Sequence, residues 1–85
     1  MKIQRLDRRF AAFGSFDFGI FYTRDQRWDF VNQRNWCWAT MGPATELENH
    51  WLNIDSVWAW EFNQWNTRLY LKSDKELGYF KLKWL

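Results

Sequence analysis

Residues 65–85 constrain the fold most, because apolar and polar side chains alternate along them on both sides of one short polar break. A turn at Ser73-Asp74-Lys75-Glu76 pairs 66–72 with 77–85. It sets Tyr70 opposite Tyr79, Arg68 opposite Lys81 and Asn66 opposite Lys83. One face of this hairpin carries Trp65, Thr67, Leu69 and Leu71 with Gly78, Phe80, Leu82 and Trp84. Such alternation marks a half-buried antiparallel strand whose apolar side must be covered. The other face presents Arg68, Lys72, Lys81 and Lys83 around two tyrosines, so the expectation is a sheet with a basic, aromatic outer surface.

Alternation recurs upstream. Residues 2–6 read as a short strand, a bend follows at Asp7, and a second extended piece runs into Phe13; a one-turn helix fits the same apolar spacing. Phe16, Phe18, Ile20 and Tyr22 share a face, with Gly19 marking a bulge or a close backbone approach. The polar run Arg24-Asp25-Gln26-Arg27 reads as a turn into a returning strand at 28–31, and Asn32-Gln33-Arg34-Asn35 as the next turn, before a strand at 36–41. Gly42-Pro43 ends that strand. Pro43 suits a first helical turn and Thr45-Glu46-Leu47-Glu48 a capping box, so one helix is expected over about 43–53, with Ala44, Leu47, Trp51 and Ile54 on its apolar stripe. Val57, Ala59 and Glu61 then alternate with Trp58, Trp60 and Phe62, and Asn63-Gln64-Trp65-Asn66 turns the chain into the closing hairpin. Strands, one helix, strands: the order predicts an α+β fold. Its centre is a small, antiparallel, strongly twisted sheet, either packed on the helix or curled into a partial barrel.

A chain of 85 residues holds one domain, 1–85, and a monomer of that size buries only roughly 60–65 % of its unfolded surface. Dense packing must compensate, and eight Trp, eight Phe and three Tyr supply the material. Either these rings replace the scarce Val and Ile in the core, or some remain outside, where a large apolar patch carries meaning. The N-terminal Met1-Lys2-Ile3-Gln4-Arg5 lacks the apolar run of a secretion signal, and no stretch is long and apolar enough to span a membrane. With one cysteine, a reducing compartment fits, and the chain is expected to act in the cytoplasm as it stands from Met1.

Catalysis finds few candidates. His50, beside Trp51 on the expected helix, has no nucleophile motif to activate and pairs more simply with Glu46 one turn away. Cys37 lies between two tryptophans without a cation to lower its pKa, so it reads as buried and inert. One His and one Cys make no metal site, phosphate-binding glycine loops are absent, and no cofactor is expected. The chain reads as non-enzymatic.

Binding finds more. Single-stranded nucleic acid needs cations for phosphates and flat rings for bases. Arg68, Tyr70, Lys72, Tyr79, Lys81 and Lys83 supply both on the hairpin face, and Arg5, Arg8 and Arg9 form a second phosphate contact. Setting Arg68 opposite Lys81 is costly in an isolated sheet, which an anionic ligand would relieve. The plainer reading is solvated charge, with Lys on a terminal edge strand discouraging aggregation. The net charge of +2 permits an anionic partner without demanding one. Trp65 beside Asn63, Gln64 and Asn66 meets the local needs of sugar recognition, and exposed aromatics also anchor protein interfaces.

In general character, through the aromatic clusters Trp28-Asp29-Phe30, Trp36-Cys37-Trp38 and Trp58-Ala59-Trp60, the chain resembles the small accessory proteins of large tailed phages of the T4 type. That resemblance implies a counter-defence factor in the host bacterial cytoplasm, of the kind whose RNA-binding members restrain endoribonuclease toxins of toxin–antitoxin systems. It transfers no functional residue. The leading expectation is therefore an inhibitor that binds RNA or a ribonucleoprotein complex by occlusion or sequestration. The alternative is a protein–protein inhibitor that docks on a host enzyme through exposed aromatics. An exposed Trp84-Leu85 edge would favour a homodimer by sheet extension, and no membrane contact is expected.

Overall fold

The structure, a computed structural model, describes residues 1–6, 16–44 and 56–85. At its centre is a hairpin. Strands β3 (Trp58–Phe62) and β4 (Thr67–Leu71) pair antiparallel, joined by the polar turn 63–66. The turn is closed by its first residue: Asn63 Oδ1 accepts the backbone N–H groups of Trp65 and Asn66, each at 2.8 Å. This is the local bonding that makes Asn a turn former. β4 also pairs with β2 (Phe18–Phe21), and β2 with β1 (Lys2–Arg5), both antiparallel. The strand order is β1-β2-β4-β3. Among the described residues β1 and β3 bond on one side only, so the sheet is open.

Register decides the two faces. Ile3, Ile20, Leu69 and Trp60 form one cross-strand row, and Phe18, Leu71 and Trp58 belong to the next row on the same face. This face makes the main core, with Ile20, Leu69, Leu71 and Trp58 fully buried. Two helices cover it. The first, α1 (Arg27–Met41), follows a 3-10 turn at Arg24–Gln26 and contributes Phe30 and Cys37; the second, α2 (Asp74–Trp84), contributes Leu77 and Phe80. The opposite face carries Gly19, Ala59 and Tyr70 in one row and Phe21, Arg68 and Glu61 in another. There Phe16, Ala59 and Tyr70 form a smaller buried cluster with Leu6 against it. A Cβ on Gly19 would come within 3.1 Å of Leu6 and of the Phe21 ring, which is the close approach the sequence suggests.

Two expected strands are helix. Residues 28–31 and 36–41 both belong to α1, whose buried stripe is Phe30, Gln33 and Cys37. Gln33 reads as a turn residue, yet its side chain is buried and accepts the Tyr22 hydroxyl, while Arg34 lies over the Trp60 ring at 5.0 Å. Gly42 ends the helix at φ +82°, its N–H donating to Trp38 O at 3.0 Å; Gly42-Pro43 is thus a helix stop rather than a strand stop. The fully buried Trp58 then donates its indole N–H to Gly42 O at 2.7 Å.

The second correction is larger: 77–85 is no strand, and the closing hairpin does not exist. Ser73 is the N-cap of α2, its hydroxyl bonded to the Glu76 carboxylate, with Asp74 and Glu76 in the first turn and Lys81 and Lys83 in the last. Charge of that polarity suits the helix dipole. Leu77, Phe80 and Trp84 satisfy a helical stripe as well as Phe80, Leu82 and Trp84 satisfy a strand; the chain is helical, which leaves Leu82 outside. Trp84 packs edge-on to Trp36 at 6.3 Å, so it offers no strand edge for dimerisation. The helix expected over 43–53 lies outside the described residues beyond Ala44. The α+β class holds: one open antiparallel sheet with two described helices on one face.

Candidate nucleic-acid interface

With the hairpin gone, the expected basic-aromatic face divides. Arg68 and Tyr70 lie on the face of the sheet opposite the helices, whereas Tyr79, Lys81 and Lys83 ride on α2, so the sheet stands between them. Tyr70 is fully buried and cannot stack on a base. Its hydroxyl donates to Glu61 Oε2 at 2.9 Å, and burial, with that carboxylate, pushes its pKa up to about 12. Arg68 faces Phe21 and Glu61 in register, not Lys81, and its guanidinium lies over the Phe21 ring at 4.9 Å. The like-charge pairing that argued for an anion is therefore absent. Lys72 is exposed just beyond β4. Arg5 is exposed, 3.9 Å from Asp74 and over the Phe18 ring at 4.8 Å. Arg8, Arg9 and His50 lie outside the described residues.

Cations and exposed rings do coincide elsewhere. The β3–β4 turn and the start of α1 enclose a cleft of about 330 Å³, lined by Arg24 and Arg27 on one side and Phe62, Gln64 and Trp65 on the other. Tyr22, Thr23 and Thr67 complete the lining with Asn63 and Asn66. Local chemistry fixes each wall. Thr23-Arg24-Asp25-Gln26 forms a capping box in which Thr23 N–H donates to Gln26 Oε1 at 3.0 Å, and this starts the helical turns that present both arginines. Asp25 accepts the Thr23 hydroxyl, which holds its carboxyl below the usual range. On the other wall, Glu61 Oε1 accepts from Asn63 Nδ2 at 3.1 Å and from Asn66 Nδ2 at 3.3 Å, bracing the turn from beneath. Trp65, at the tip of the turn, is 81 % exposed, so an apolar ring is held out in water by a hydrogen-bonded polar turn.

The rings also continue inward. Phe62, 45 % exposed, stacks on buried Phe30 at 5.7 Å with planes 20° apart, and Arg27 lies over Phe62 at 5.5 Å. Arg27 is thereby held over the aromatic wall, an arrangement worth about 0.5–1 kcal/mol at an exposed site. Among the described residues lining the cleft, none is acidic. Two guanidinium groups, an exposed indole and a half-exposed phenyl can hold a phosphodiester and stack its bases.

By sequence alone, Arg24 and Arg27 read as part of a polar turn. The Thr23-x-x-Gln26 signature was the available clue that they begin a helix instead. The sequence did single out Trp65 with Asn63, Gln64 and Asn66, but for sugar. Other chemistry is sparse: Cys37 is buried, which pushes its thiol up to about 12, and the described residues hold no group of three His, Cys, Asp or Glu placed for a metal. No helix among them is long and apolar enough to cross a membrane. Comparison with protein-family models, curated proteins and solved structures returns no match.

Proposed function

We propose that the protein binds single-stranded RNA, free or within a ribonucleoprotein complex, in the cleft between the β3–β4 turn and the start of α1. Sequestration or occlusion is its mode of action. The observation that carries this reading is the pairing of Arg24 and Arg27 with exposed Trp65 around one cleft without an acidic lining residue among those described. A neutral sugar would use the same indole and amides but would leave two arginines unanswered. Gln64 and Thr67 offer an amide and a hydroxyl at the same cleft, groups able to meet a ribose 2′-hydroxyl. The general likeness to counter-defence proteins of T4-type phages accords with inhibition by sequestration, with an RNA-containing defence or toxin system as the target.

The test is fluorescence anisotropy with a labelled oligouridine of about ten nucleotides, a length within the range that small single domains occupy. Oligothymidine, a duplex and a neutral oligosaccharide serve as comparisons. RNA should bind and duplex should not. Two phosphate contacts give a log–log salt slope of about −1.4, or about sevenfold weaker binding between 50 and 200 mM salt. Arg24→Glu/Arg27→Glu should abolish binding. Equal binding of the sugar, or RNA affinity indifferent to that double substitution, removes the reading.

A further inference from the structure

The outer side of α2 is a second surface, remote in character from the cleft. The helix spends Leu77, Phe80 and Trp84 on the core and leaves Leu82 87 % exposed, with Tyr79 half-exposed beside it. These two side chains are shared by two shallow depressions of about 560 and 500 Å³. One runs along α2 past Lys75, Gly78 and Lys81; the other lies between α2 and the Trp36 and Thr40 positions of α1, with Lys83 at its rim.

Gly78 adds an independent sign. It sits in the interior of an α-helix, where glycine costs about 1 kcal/mol relative to alanine. A Cβ there would meet nothing within 4 Å, so packing within the described fold gives no reason for its omission. A bare backbone on an exposed helical face lets another backbone come close.

We propose that this face docks an acidic amphipathic helix of a partner protein, with apolar side chains seated over Gly78, Tyr79 and Leu82 and carboxylates set against Lys75, Lys81 and Lys83. Charge selects the occupant. Three lysines surround the apolar centre, and Asp74, the acidic residue lining the groove, already has Arg5 at 3.9 Å. A second copy docked through the same face would set lysines against lysines. Nucleic acid would find Tyr79 and the lysines here but gain little from Leu82, the most exposed apolar side chain of the face. A membrane surface calls for a broad apolar face, and α2 has turned most of its own inward. The inference does not depend on RNA binding at the cleft.

The probe is a synthetic helical peptide with Leu at i, i+3, i+4 and i+7 and Glu on both flanks, matched by a peptide with Lys in place of Glu. Both are titrated into the full ¹⁵N-labelled chain. The Glu peptide should shift amides of 75–85 and 36–40 but leave 63–67 unmoved. Leu82→Glu should weaken it at least tenfold while the thermal midpoint stays within a degree or two, since this side chain is almost wholly outside. Absence of shifts, equal response to the Lys peptide, or indifference to Leu82→Glu overturns the proposal. So does preferential binding of this face to vesicles of phosphatidylglycerol, or self-association that Leu82→Glu abolishes.

Discussion

Replacing Trp65 by alanine separates binding from folding more cleanly than any other change in the cleft. The ring is 81 % exposed, so about a fifth of a surface of ~250 Å² is in contact with the protein. At ~25 cal/mol per Å² its loss costs folding about 1.2 kcal/mol. The turn does not need the ring, because Asn63 closes it through backbone bonds. A domain of 85 residues has roughly 4–13 kcal/mol of stability, so more than about 99 % of the variant remains folded. Stacking of one base on an aromatic ring is worth about 1–3 kcal/mol, which predicts a 5- to 150-fold loss of oligouridine affinity. Anisotropy titration measures the loss, and a urea melt confirms that the fold is intact. Trp28→Ala is the matched control: its ring is also largely exposed, but it does not line the cleft, so affinity should hold. Unchanged affinity for Trp65→Ala, or equal losses for the two variants, refutes stacking at this site.

Two glycine substitutions should move stability in opposite directions. Gly42→Ala forces a side chain into φ +82° and should cost about 1–3 kcal/mol, whereas Gly78→Ala improves a helix interior with open space beside it and should gain about 1 kcal/mol. Urea melts give both, and a loss at Gly78 would argue against α2. Alkaline pH should destabilise the fold. The Cys37 thiol deprotonates near 9.0 when unfolded but only near 12 when folded, and Tyr70 shifts from 10.0 to about 12. Above pH 9 the unfolded chain therefore binds fewer protons, and stability falls as pH rises, by up to about 1.4 kcal/mol per pH unit for each group. Melts that stay flat between pH 8 and 11 would contradict the burial of both.

Where a strand has one demanding face, the sequence discloses it. Phe18 and Ile20, Trp58 and Trp60, and Leu69 and Leu71 alternate because α1 and α2 cover that side, and the turn at 63–66 announces itself through Asn63. Helices were harder to read, for a definite reason. In α1 the inward stripe is Phe30, Gln33 and Cys37, and large rings such as Trp28 and Trp38 point outward, so hydrophobicity does not follow the helical period. In α2 the residues from Phe80 to Trp84 alternate as a strand would, while Leu77, Phe80 and Trp84 also fit a helix. The decisive information was at the ends rather than in the pattern. Thr23-x-x-Gln26, Ser73-x-x-Glu76 and Gly42-Pro43 mark two starts and one stop, and each is a set of hydrogen bonds that a strand could not use.

The same distinction explains the displaced site. Arg68, Tyr70, Tyr79, Lys81 and Lys83 share a face only if the chain after Ser73 stays extended; once the Ser73 cap turns it into a helix, five residues of suitable chemistry fall on opposite sides of a sheet. Arg24 and Arg27 lie about forty residues from Trp65 in sequence and share no motif with it. They meet because β2 and β4 are neighbours: Tyr22 N–H donates to Thr67 O at 3.0 Å, which brings the exit of β2 beside the β3–β4 turn. The recognition surface is therefore a product of strand order, and strand order is what alternation along single strands does not encode. Its one local trace was Trp65 itself, a large apolar ring among three amides, in a loop where burial could not account for it.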